Sequence, residues 1–152
     1  MESLKERLTA EIAKLTTGTH FHLMDLKISR ARSFTGLQVF IDREDGYFSH
    51  EDCRNWSQLI MDMVERKEMI MRDYRLEVSS PGVGRNLMER WEYEKNLEKK
   101  LLVGYIDAEG ISSEISGDLV SVTEEGIGLL KGKSELTIKW AQIERASVKT
   151  PW

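Results

Sequence analysis

The apolar residues change period several times along the chain, and each change marks an element. Leu4, Leu8, Ile12 and Leu15 recur at helical spacing. Ser3 and Glu6 ahead of them read as a capping box, each side chain satisfying the other residue's amide. Thr16-Thr17-Gly18-Thr19 ends that helix. From His20 to Arg30 the period drops to two, with Met24, Leu26 and Ile28 alternating against Asp25, Lys27 and Ser29. Leu37, Val39 and Ile41 repeat the alternation, and the short polar connection at Ala31-Arg32-Ser33 predicts an antiparallel pair. After a turn at Glu44-Asp45-Gly46, Ser49 is placed to cap a second helix, with Asp52 in its first turn and Cys53, Trp56, Ile60 and Val64 as its apolar stripe. A third strand puts Tyr74, Leu76 and Val78 on one face and stops at Ser79-Ser80-Pro81-Gly82, where Pro-Gly suits the centre of a type II turn. The predicted order is αββαβ, helices on one face of a small sheet, with a right-handed crossover into the third strand.

The rhythm then shifts. A short helix from Glu89 to Asn96 precedes strands at Leu101–Ile106, Glu114–Val122, Gly126–Leu130, Glu135–Lys139 and Arg145–Lys149. Gly110, Gly126 and Gly132 fall at turn positions, and Ala141-Gln142-Ile143 makes a last brief turn. Five short strands with close turns predict a small closed or half-closed β-barrel, which hides sheet edges. The expectation is an α+β chain of two domains: an N-terminal α/β domain over 1–83, and a five-stranded barrel with a short leading helix over 84–152.

Composition narrows the function classes. The chain has 152 residues, and no apolar run exceeds three residues, as in Leu101-Leu102-Val103, so no membrane helix is expected. The charged N-terminus carries no apolar signal segment, and the single cysteine, Cys53, leaves no intrachain disulfide. Those features predict a cytoplasmic protein. Net charge is −4; residues 1–83 hold 12 basic and 14 acidic side chains and the remainder 10 and 12, so neither half has a basic excess. Nucleic-acid contact is therefore expected to be local.

Catalytic candidates are sparse. His20 and His22 share a strand face and, with His50, suggest at most a three-histidine metal site; a half-buried strand end is the simpler reading. His50 and Cys53 stand three apart on a helix, yet Cys53 belongs to the apolar stripe and reads as a core thiol. Gly82-Val83-Gly84 and Gly126-Ile127-Gly128 are too short for a nucleotide fingerprint. No enzyme, metal or cofactor is expected. An αββαβ order invites comparison with KH domains, but no two glycines stand three apart, so a GXXG clamp is missing. Binding features are stronger: Leu26 to Ile41 contains no acid, and Lys27, Arg30 and Arg32 gather at the first hairpin near Phe34.

The run Tyr74-Arg75-Leu76-Glu77-Val78-Ser79-Ser80-Pro81-Gly82, followed by Arg85, is the most specific stretch. It resembles the signature of the bacterial ribosome maturation factor RimP family. Val39-Phe40-Ile41-Asp42 with Gly46, Asp52-Cys53 with Ser57, Trp91-Glu92-Tyr93-Glu94, Gly117-Asp118-Leu119 and Ala141-Gln142-Ile143-Glu144-Arg145-Ala146 extend the likeness over essentially the full chain. The chain departs from the family pattern at Gly84 and Asn86, where Asp and Pro are usual, and at Glu98, where glycine is common. The resemblance implies a C-terminal domain similar to Sm or SH3 barrels. It also implies a non-catalytic cofactor for assembly of the small (30S) ribosomal subunit, binding the free immature particle. Small-subunit ribosomal protein twelve and adjacent rRNA are the implied partners, and a monomer is expected. Lys27, Arg30, Arg32, Ser79, Ser80 and Arg85 are the expected ribosome or RNA contacts. The competing expectation is an Sm-like RNA-binding regulator independent of the ribosome.

Overall fold

The computed structural model describes residues 2–81 and 84–149. The chain divides into two compact units, Met1–Pro81 and Gly82–Trp152. The first contains α1 (Leu4–Thr16), β1 (Phe21–Arg30), β2 (Thr35–Arg43), α2 (His50–Arg66) and β3 (Tyr74–Ser79). Its sheet runs β1-β2-β3. β1 and β2 form the antiparallel hairpin that their shared alternation predicts. β2 and β3 are parallel, so the segment containing α2 is a crossover.

Leu8 and Ile12 of α1, Trp56, Ile60, Met63 and Val64 of α2, and Leu26, Leu37, Val39, Ile41 and Val78 of the strands make one buried cluster. The odd-numbered positions of β2 thus face the helices, and by the pleat Gly36, Gln38 and Phe40 face the other way. Removing a Leu or Ile side chain from water stabilises by roughly 1.5–3 kcal/mol, so this amphipathic register is strongly specified.

Two local expectations are corrected. Met24 does not share the core face with Leu26: it is skipped in the ladder, where Leu23 pairs with Ile41 and Asp25 with Phe40. This bulge reverses the parity, so that Phe21 and Leu23 pack against the core on one side of it and Leu26 and Ile28 on the other. At the start of α1, Ser3 Oγ accepts the Glu6 amide as expected, but the Glu6 carboxylate takes the Ser3 hydroxyl at 3.3 Å instead of the Ser3 amide. That amide is at an exposed chain end, where water can satisfy it. The full reciprocal box appears at α2, where Ser49 and Asp52 exchange backbone and side-chain bonds at 2.9 and 3.1 Å.

The second unit holds α3 (Arg90–Lys95), β4 (Lys100–Ile106), β5 (Ser112–Val122), β6 (Gly126–Lys131), β7 (Ser134–Lys139), a 3₁₀ turn (Trp140–Gln142) and β8 (Ile143–Val148). All pairings are antiparallel, in the order β7-β6-β5-β4-β8. Among the described residues no ladder joins β7 to β8. Bulges between Gly104 and Tyr105 and between Leu119 and Ser121 bend the sheet. It encloses Leu101, Val103, Leu119, Ile127, Leu129, Ile138 and Ala146, with Tyr93 of α3 and Leu87 added from the leading segment. Gly126 is required here: a Cβ would collide with the Ile138 carbonyl oxygen.

Candidate nucleic-acid interface

The hairpin between β1 and β2 is built from both local and distant residues. Locally, the Ala31 amide donates to the Phe34 carbonyl at 2.9 Å and closes the turn. From the far side of the crossover, Arg72 Nη2 donates to the carbonyls of Ala31 and Arg32, at 2.9 and 2.8 Å. The Thr35 amide donates to the Asp73 carbonyl at 2.9 Å, which starts the β2–β3 ladder. β3 therefore enters the sheet beside the hairpin tip, and Arg75 pairs in register with Gly36. The Arg75 guanidinium lies 4.0 Å from the centroid of the Phe34 ring. Met71, directly before Arg72, is 87% exposed.

Of the expected contacts, Lys27, Arg30 and Arg32 are all exposed at this hairpin, but they do not share a face. Lys27 pairs with Gln38 and lies on the helix-free face, its Nζ 5.6 Å from the Phe40 ring centroid. Arg30 pairs with Thr35 and has the parity of the helix-covered face, at its outer end. Arg32 is on the turn. Arg72 and Arg75 join this end of the sheet and were not among the sequence candidates. Their signal is the parallel register of β3, which spacing alone does not disclose.

Ser79 is the last residue of β3, half-buried and paired with Phe40, which puts it at the opposite end of the sheet from the hairpin. Ser80 follows it, exposed. The predicted type II turn needs Gly82, which lies outside the described residues, as does Val83. Arg85 belongs to the second unit. Its Nη1 is 3.0 Å from Glu92 Oε2, a carboxylate only 5% exposed against 30% for the arginine. The other Glu92 oxygen accepts the amides of Met88 and Glu89 at 3.1 and 3.0 Å, so this buried carboxylate is fully engaged. Asn86, at the family's usual proline position, binds the Ala146 amide through Oδ1 at 2.9 Å, and the Leu87 amide donates to the Ala146 carbonyl at 2.7 Å. An asparagine side chain thus anchors the segment to β8. The recess beside it, about 100 Å³ and lined by Gly84, Asn86, Leu102 and Arg145 among others, is well below the roughly 300 Å³ of a small-molecule pocket.

The other titratable clusters are knit into the scaffold. His22 Nε2 and His20 Nδ1 both meet Glu44, at 2.8 and 3.4 Å. Hydrogen bonds from these two rings, His22 first, hold the Glu44 carboxyl below its usual range. His50 is on α2, and no group of three metal-ligating side chains occurs among the described residues. Arg43 bridges Asp45 Oδ1 at 2.8 Å and Asp52 Oδ2 at 3.1 Å, with its guanidinium 5.0 Å from the Phe21 ring centroid. Burial raises the Asp52 pKa, but the Ser49 amide and Arg43 outweigh it and the net shift is downward. Cys53 is half-buried against the core, and burial pushes its thiol up, away from the reactive thiolate. No helix among the described residues is long and apolar enough to cross a membrane.

The first unit is thus a small α/β fold with helices packed on one face of its sheet and arginines beside an aromatic ring at its hairpin end. Residues 11–84 match the family model described as the RimP N-terminal domain. The chain therefore carries the N-terminal domain of the RimP family of ribosome maturation factors.

Proposed function

We propose that this protein is a non-catalytic cofactor in maturation of the small ribosomal subunit, binding the free immature 30S particle as a cytoplasmic monomer. The observation that carries the reading is the RimP N-terminal domain match over residues 11–84. The hairpin supports it with local positive charge on a chain of net charge −4. Such a molecule can touch RNA at one place without binding mature RNA broadly, and its acidic remainder suits a basic ribosomal protein. Small-subunit ribosomal protein twelve and the rRNA beside it are the partners we assign. Lys27, Arg30, Arg32, Ser79, Ser80 and Arg85 are the contacts. In the same reading, residues 1–83 and 84–152 are the two domains, and the second closes as an Sm/SH3-like barrel.

The test is co-sedimentation of purified protein with separated small subunits, large subunits and assembled ribosomes. Selective recovery with free small subunits is the expected result. Recovery with none of the particles, or equally with all, overturns the reading.

A further inference from the structure

The hairpin end of the first unit combines features that simple surface charge does not require. Phe34 is half-buried, and the Arg75 guanidinium stands over its ring at 4.0 Å while the arginine remains exposed. Phe34 and Arg75 come from segments 41 positions apart, brought together by the parallel register of β2 and β3. Gly36 pairs with Arg75, and a Cβ there would meet Ser29 Oγ at 2.6 Å, so the serine side chain would have to turn away to admit one. Arg72 spends its Nη2 on two loop carbonyls, which fixes the turn that displays Arg30 and Arg32. Lys27 over Phe40 repeats the cation–aromatic pairing farther along the same helix-free face. Glu77 and Asp25 also occupy that face, so the positive excess is confined to the hairpin end.

We propose that this end is a docking site for single-stranded RNA, in which an unpaired base stacks on the outer face of the Arg75 guanidinium. Phe34 is a positioning residue that holds the guanidinium flat, Arg72 fixes the turn, and Arg30 and Arg32 receive the flanking phosphates. The inference deepens the ribosomal reading, since it rests on RNA being the ligand of this hairpin. An acidic peptide is the weaker fit. Carboxylates prefer the in-plane donors of arginine, and those of Arg72 are partly used by the loop. Bases stack on a planar guanidinium face, and the Arg75 guanidinium already lies over one aromatic ring at 4.0 Å.

Fluorescence anisotropy of a labelled eight-nucleotide single-stranded RNA, titrated with the full chain, tests this. The wild-type chain is expected to bind at low salt, and the same sequence as a duplex to bind more weakly. Arg75→Lys keeps the charge and loses the planar face, so it should weaken binding about 5- to 150-fold, as loss of one stacked base does. Phe34→Trp should bind as wild type and Phe34→Leu should not, with thermal melts checking that both fold. The double variant Arg30→Gln/Arg32→Gln should lower the slope of log affinity against log salt by about 1.4. No binding by the wild-type chain, unchanged affinity of Arg75→Lys, or equal competition by an acidic peptide overturns the proposal. Binding of the oligonucleotide without recovery on small subunits removes the ribosomal role and leaves the stacking site. Recovery on subunits without oligonucleotide binding does the reverse.

Discussion

Glu98 has φ +76°, in the left-handed region where an L side chain crowds its own backbone. Its amide donates to the Leu119 carbonyl at 2.7 Å, which holds the chain in that conformation at the entrance to β4. The sequence departs from the RimP pattern at this position, glycine being common there, so the departure and the strain coincide. Glu98→Gly should therefore stabilise the chain, by about 0.5–1 kcal/mol once the added freedom of glycine in the unfolded state offsets part of the relief. A rise in thermal midpoint checks it, and an unchanged or lower midpoint counts against it. Glu68, at φ +49° just past α2, occupies the C-terminal cap site that glycine favours and should respond in the same direction. Arg85 illustrates the opposite sensitivity. Arg85→Ala removes the ion pair to the buried Glu92 carboxylate while leaving its two backbone donors, and should lower stability by about 1–2 kcal/mol in chemical denaturation. Arg85→Lys should restore part of that loss.

Among the elements, α2 depends on ionised groups at its first turn. Its first turn rests on Asp52, which caps the helix and meets Arg43 from the end of β2. The folded-state pKa of Asp52 is depressed, so the stability it contributes is fully present above its unfolded value of about 4. That contribution is lost as pH falls through the lower folded value, because the unfolded chain then binds the proton more readily. Glu44 and Asp45 shift in the same direction beside it. Acid unfolding should begin below about pH 4, and Asp52→Asn should flatten that limb while lowering stability at neutral pH.

The elements were also the level at which the sequence was most legible. Leu37, Val39 and Ile41 alternate cleanly, and all three are buried where the pattern puts them. The same rule misassigned Met24, because a bulge is one unpaired residue and leaves no trace in hydrophobicity. Ser49 was legible as a helix cap and Asp52 as a first-turn acid, whereas the return bond from the Ser49 amide to Asp52 and the partner Arg43 lay beyond local reading. At the hairpin, Lys27, Arg30 and Arg32 were visible as neighbours in a stretch free of acids. Arg72 and Arg75 were not, since only the crossover register brings them to Ala31, Arg32 and Phe34.

For the whole molecule, two hydrophobic clusters divide the chain: one drawn from residues up to Val78, the other from Leu87 onward. Each has a buried centre of its own, so a fragment ending after Pro81 should fold independently, with a cooperative thermal transition. A fragment that melts without cooperativity would contradict this. Charge at the molecular scale predicts a salt signature. Reversing Lys27, Arg30 and Arg32 to Glu should weaken recovery with small subunits, and the wild-type interaction should weaken as salt is raised, since released counterions drive phosphate contacts. Equal recovery of the reversed variant at every salt concentration would exclude those three side chains from the interface.

The bulge at Met24 bears on how this chain tolerates changes in its length. Inserting or deleting one residue in a strand ordinarily turns every later side chain to the wrong face. Here Leu23 already pairs with Ile41 and Asp25 with Phe40, which are consecutive rungs if Met24 is taken away. A chain lacking that single residue would keep Phe21, Leu23, Leu26 and Ile28 all facing the helices along an unbroken strand. The middle of β1 is thus a place where the gene can lose a codon and the sheet can keep its register.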